Sequence, residues 1–281
     1  MAARLTSVLL WFLAFVLAVA LGAFQRMTGP TYPKHGSVEF PGHELRYSLP
    51  RTHGGDGGLR VRIAEAGAAA RGELSWRRFP TDEPWQSLPM VRNDKGELEA
   101  VIPHQPPAGK VEYRVLLVFV GGALTLPAGE AVVARFRAEV PAWLLIPHIL
   151  AMFGAMMLAT RSLLEEFRPH RPRPRRLVLA TMVLLVVGGL FLGPAVQKYA
   201  FDAWWTGWPN GTDLTDNKTA LATLAWLPAT LLALRNRPLR AAVIAGWLVM
   251  MGVFLIPHSF RGSQIDWSAH QAPPPAVEQG H

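Results

Sequence analysis

Two histidines sit where an ionisable side chain is costly. His148 falls about two helical turns into one apolar run, and His258 closes another. Burying such a group in hydrocarbon is expensive, so by default it marks a functional candidate. Helical spacing sets Met152 and Met156 on the face of His148, and Met251 on that of His258. Imidazole with thioether suits copper(I), and two imidazoles from facing helices would ligate a b-type haem. In the plainer alternative, each neutral imidazole hydrogen-bonds a neighbouring helix or a loop carboxylate such as Asp213 or Asp266, and the methionines fill gaps. A difference in depth of about 10 Å at helical rise counts against both histidines sharing one iron.

The segment from Asp202 to Thr219 holds the densest set of oxygen donors. Asp213, Asp216 and Asn217 precede an apolar helix pattern, where such residues cap free N–H groups and a carboxylate is favoured by the helix dipole. One cap does not need all three. Oxygens at this density would also suit Ca2+, although the spacing matches no EF-hand loop. The candidate metal ligands are therefore His148, His258, Asp213 and Asp216, with a transition metal, Ca2+ or haem b as the possible cofactor. Trp204, Trp205 and Trp208 in the same loop, and Trp267 in the tail, fit a belt at lipid headgroup level. They would equally form a platform for a ligand or a partner subunit.

No catalytic constellation accompanies these residues, and the sequence leans towards a non-enzyme. Ser259 and Ser263 beside His258 lack a Gly-x-Ser-x-Gly elbow. No His-Glu-x-x-His, phosphate-cradling loop or dinucleotide fingerprint occurs. The chain has no cysteine, which excludes disulfides, cysteine-ligated clusters and thiol chemistry. Its net charge of +8 is not a nucleic-acid signature. Nine of the 28 basic residues lie in two short stretches, Arg161–Arg176 and Arg235–Arg240, which flank apolar runs.

Those stretches set the expected topology. Short arginine-rich loops beside hydrophobic spans stay on the cytoplasmic side. Five spans are expected: Leu5–Phe24, Val140–Thr160, Leu177–Val196, Thr219–Leu234 and Ala241–Pro257, the last two being short. A cleaved signal peptide competes for the first, but its apolar run is long and its leading segment carries only Arg4, which favours an uncleaved anchor. The N-terminus is then inside, while residues 30–139, the loop 197–218 and the tail lie outside a bacterial inner membrane. Ala151, Ala155 and Ala159, with Gly188, Gly189 and Gly193, form small-residue stripes that allow close helix packing.

Residues 30–139 have a different texture. Short alternating runs are predicted as strands at 44–49, 59–64, 73–78, 97–102, 111–120 and 131–138, separated by Gly-, Pro- and Asn-rich turns. This pattern points to an antiparallel sandwich. The stretch Pro107-Ala-Gly-Lys-Val-Glu-Tyr-Arg-Val-Leu-Leu117 resembles the late hairpin of immunoglobulin-like or fibronectin type III domains, in which a tyrosine opens a strand after a Pro/Gly turn. The expected organisation is an anchor (1–29), a β-sandwich (30–139), a four-helix bundle (140–267) and a disordered tail (268–281). A non-catalytic membrane subunit is expected, docking the sandwich onto other subunits of a respiratory or photosynthetic type of complex. The alternative is a metal- or haem-binding membrane protein.

Overall fold

The computed structural model describes residues 2–40, 42–64, 66–67, 69–168, 174–211, 213–257 and 264–267. The chain divides into two compact units. A helical unit comprises Met1–Tyr32 and Ala138–Ser263, and a β unit comprises Pro33–Arg137 and Gln264–His281.

The helical unit is built from α1 (Ala2–Thr28), α2 (Ala142–Glu166), α3 (Arg175–Leu184), α4 (Gly193–Phe201), α5 (Leu214–Leu234) and α6 (Arg240–Leu255). A π-helical stretch, Leu185–Leu192, joins α3 to α4 into one continuous rod. Three rods, Arg4–Thr28, Ala142–Glu166 and Arg175–Phe201, are long and apolar enough to cross a membrane. α6 is apolar but shorter, and α5 carries Asp216 and Lys218 in its first turns. Five helical rods thus stand among the described residues, but only three meet the length and apolarity of a span unaided.

Small residues set the packing. Ala14 and Ala18 of α1 are buried, while Leu9, Phe12 and Phe15 around them are exposed. Gly22 lies so close to the Phe153 ring that a side chain there would collide with it. Ala151 of the α2 alanine stripe faces the π-helical stretch: a Cβ on Gly188 would meet Ala151 Cβ at 2.6 Å. On α6, a Cβ on Gly246 would lie 2.9 Å from Ala225 O and 3.0 Å from the Trp226 ring.

Several interior threonines and tryptophans of the bundle find their hydrogen-bond partners within it, as groups without access to water should. Thr160, Thr181, Thr223 and Thr230 each donate to the carbonyl four residues earlier. Trp226 Nε1 donates to Val178 O and Trp247 Nε1 to Thr160 Oγ1, both at 3.0 Å. Near the arginine-rich end of α2, the buried Arg161 pairs with Glu165 and stacks over Trp11 of α1 at 5.4 Å. Arg168 shares Glu165 at 3.1 Å.

The β unit has ten strands: β1 (Lys34–Phe40), β2 (His43–Leu49), β3 (Thr52–Gly54), β4 (Leu59–Ile63), β5 (Arg71–Arg78), β6 (Gln86–Arg92), β7 (Leu98–Ile102), β8 (Lys110–Phe119), β9 (Gly122–Leu126) and β10 (Val132–Arg137). β1 and β2 form a hairpin. The other strands run β3-β10-β8-β5-β6-β7-β4, with β9 beside β8. β8 is the spine. β5 lines one edge, while β10 pairs with residues 110–113 and β9 with 115–119. β6 passes from β5, through residues 86–90, to β7 through residues 91–92.

The expected antiparallel sandwich is corrected in two respects. The sheet is mixed, because β3 runs parallel to β10, and it is nearly closed into a barrel. Its core alternates along the strands: Leu59, Val61 and Ile63 of β4 meet Leu98, Ala100 and Ile102 of β7 and Val111, Tyr113, Val115 and Leu117 of β8. β8 opens at Lys110 after the Pro/Gly turn, and Tyr113 is its fourth residue, not the first as the resemblance implied. Its buried hydroxyl donates to Pro50 O at 2.8 Å, a distant partner on the β2–β3 connection. Burial raises its phenol well above the usual range.

Residues 264–267, grouped with the bundle on sequence grounds, pack with the β unit. Trp267 Nε1 donates to Phe79 O at 3.0 Å, Arg78 lies 4.8 Å over the indole, and Lys110 Nζ donates to Gln264 Oε1 at 3.0 Å.

Candidate functional site

The polar residues converge where α4 ends and α5 begins. α4 stops at Asp202, which takes a left-handed conformation and accepts a 2.6 Å ion pair from Lys198 one turn earlier. α5 starts under an Asp213 cap whose Oδ1 accepts from Thr215 N at 2.7 Å. The expected capping role is therefore met by Asp213 alone.

Asp216 does something else. It points back to the loop, where its Oδ2 accepts from Thr206 N at 2.7 Å and Gly207 N at 2.9 Å. The Thr206 hydroxyl is the hub: it donates to Asp213 Oδ2 at 3.1 Å and accepts from Gln197 Nε2 of α4 at 2.7 Å. Asn217 Oδ1 accepts from Trp208 N at 2.7 Å. Gly207 is required by close approach, since a Cβ there would meet Asp216 Cβ and Asn217 Oδ1 at 2.7 Å. The apolar stretch of α5 begins at Thr219, so this network precedes it. Burial pushes the Asp216 carboxyl above its ordinary range, and the donors from Thr206 and Gly207 pull it back.

The network displays the tryptophans. Trp204 and Trp208 are 60% and 78% exposed. Trp205 is half-buried and braces the loop by donating Nε1 to Trp208 O at 3.0 Å. Trp143, at the start of α2, is also exposed and meets Tyr199 of α4 edge-on, with ring centroids 6.3 Å apart. Trp267 differs: only 7% exposed, it is buried against the β unit.

Among the described residues, the candidate metal ligands His148, Asp213 and Asp216 do not gather into one site. Asp213 and Asp216 meet through Thr206. His148 faces the π-helical stretch, its Nδ1 2.9 Å from Gly188 O, the carbonyl that also accepts the Gly193 N–H. A π-helical turn rearranges the backbone ladder, and the imidazole adds a second partner to this carbonyl. Met152 Sδ would lie 3.4 Å from a Cβ on Gly188, so the thioether packs near the same turn. His258 lies outside the described residues. Among the described residues no three His, Asp or Glu side chains form a cluster able to hold a metal.

Lys218, in the first turns of α5, is only 3% exposed. Its ammonium donates to Ile256 O at 2.6 Å and Pro257 O at 3.3 Å, just past the end of α6. Gln25 of α1 donates to Phe254 O beside it. A cation at a helix C-terminus satisfies orphan carbonyls and complements the dipole. Thr206 and Gln197 were missed in the sequence, and only their small polar character near the aspartates signals them.

Compared with protein-family models, curated proteins and solved structures, the chain gives no significant match.

Proposed function

We propose that this chain is a non-catalytic integral membrane subunit that docks its β unit onto a larger membrane complex of respiratory or photosynthetic type. All five helical rods cross the bilayer, the arginine-rich loops are cytoplasmic, and the β unit, the Trp204–Trp208 loop and the tail lie on the outer side of a bacterial inner membrane. The positive-inside pattern and the three long apolar rods support this reading. Packing of Ala14, Ala18 and Gly22 into the bundle favours α1 as a retained anchor.

One observation carries the docking role. The buried carboxylates hold backbone amides of the loop that presents Trp204 and Trp208 to the exterior. Rigid, exposed aromatics lose little conformational entropy on burial, which suits contact with headgroups or with a neighbouring subunit. The aspartate oxygens are engaged by Thr206, Gly207 and Thr215, which speaks for organising the loop. Mild detergent extraction from native membranes, followed by native electrophoresis and mass spectrometry, tests the proposal. Stoichiometric membrane-protein partners are expected, lost on Trp204→Ala/Trp208→Ala; a monomer at native expression level would reject the role.

A further inference from the structure

The β1–β2 hairpin is a two-stranded sheet of its own, so among the described strands each of its two seven-residue strands is paired along one side only. β1 is hydrogen-bonded to β2 along all seven residues and, among the described strands, to nothing on its other side. Unpaired edges are templates for further pairing, and proteins normally blunt them with charge, proline or shortness. β3 is three residues long, and β4 alternates Arg60 and Arg62. β1 has no proline, and its register with β2 is unbroken from Lys34 to Phe40.

Its charges are ordered for a partner. Val38 and Phe40 pack against the core, which leaves His35, Ser37 and Glu39 on the solvent face. Within the chain Glu39 stands directly opposite Glu44, a like-charge pair that costs stability. Arg46 is 3.5 Å from Glu44 and stands opposite Ser37. The free side of Glu39 therefore calls for a donor. Antiparallel pairing of β1 with itself about a two-fold axis at Ser37 provides one. Residue 35 of each copy then faces residue 39 of the other, and 36 faces 38. A two-fold interface requires this reciprocity.

We propose that β1 pairs with β1 of a second copy of this chain, merging two hairpins into a four-stranded sheet with reciprocal His35–Glu39 contacts. The proposal is independent of the docking role. Because the chain lacks cysteine, Ser37→Cys creates a unique thiol on the symmetry axis. In the full-length protein in nanodiscs, a short thiol cross-linker should trap Ser37→Cys dimers and leave Ser87→Cys, on β6, monomeric. Glu39→Lys should weaken the dimer at least tenfold by light scattering, and His35→Glu/Glu39→Lys should restore it. Three outcomes overturn the proposal: a monomer at all concentrations, a dimer that Ser37→Cys does not cross-link, or β1 protected only when another protein co-purifies.

Discussion

Replacing Asp216 by alanine should free the tryptophan loop without unfolding the helices. The carboxylate accepts from two backbone amides, Thr206 N and Gly207 N, at 2.7 and 2.9 Å, with the Thr206 hydroxyl further off at 3.4 Å. Hydrogen bonds to a charged group contribute about 1.5–3 kcal/mol each. Water entering the vacated space recovers part of two such bonds, so the net loss is about 3 kcal/mol. At about 1.4 kcal/mol per tenfold, local opening becomes roughly 150-fold more frequent. Asp216→Asn keeps a carbonyl oxygen where Oδ2 accepts both amides but loses the charge, and should cost about 1.5 kcal/mol, or roughly tenfold. Hydrogen exchange with mass spectrometry on the 202–211 peptides, in detergent and in nanodiscs, reads the change directly. Exchange at Thr206 and Gly207 within about threefold of the parent protein would show that Asp216 does not hold the loop.

Further outcomes follow from other contacts. Tyr113→Phe strands Pro50 O, which accepts the phenol at 2.8 Å, and should cost the β unit about 1–2 kcal/mol in denaturant unfolding. Because burial raises this phenol, the folded state keeps its proton above a pH of about 10, where the unfolded phenol loses its own. The stabilisation is complete below that pH and lost above it, and Tyr113→Phe should remove its share of the alkaline decline. Gly246→Ala drives a methyl into Ala225 O and the Trp226 ring, so thermal unfolding should report a loss of about 1–3 kcal/mol. Trp267→Ala removes a buried indole, its bond to Phe79 O and its stack on Arg78, so limited proteolysis should cut the tail at least tenfold faster while the β core resists.

The strands legible in the sequence were those with clean alternation into the core, such as Leu59–Ile63 and Leu98–Ile102. β6 was missed because Pro89 interrupts it. Pro89 is tolerated because β6 is paired there with β5 alone, so a missing N–H breaks no second ladder. β1 and β9 carry glycines, and β3 is too short to show a period. The parallel β3–β10 pairing joins residues about eighty positions apart, which no local pattern encodes. At the site, the Asp213 cap was legible because capping is local. The Asp216–Thr206 and Lys218–Ile256 bonds depend on how the loop and the end of α6 come to rest against α5, and so were not.

Sidedness is the claim on which the functional proposal stands, and the cysteine-free chain makes it directly measurable. Single thiols at Ser87→Cys on β6, Asn210→Cys in the tryptophan loop and Pro172→Cys in the arginine-rich loop would be treated with an impermeant maleimide in intact spheroplasts. The first two should label at once, and the third only after lysis. Labelling of position 172 from outside, or protection of positions 87 and 210 until lysis, would contradict the account.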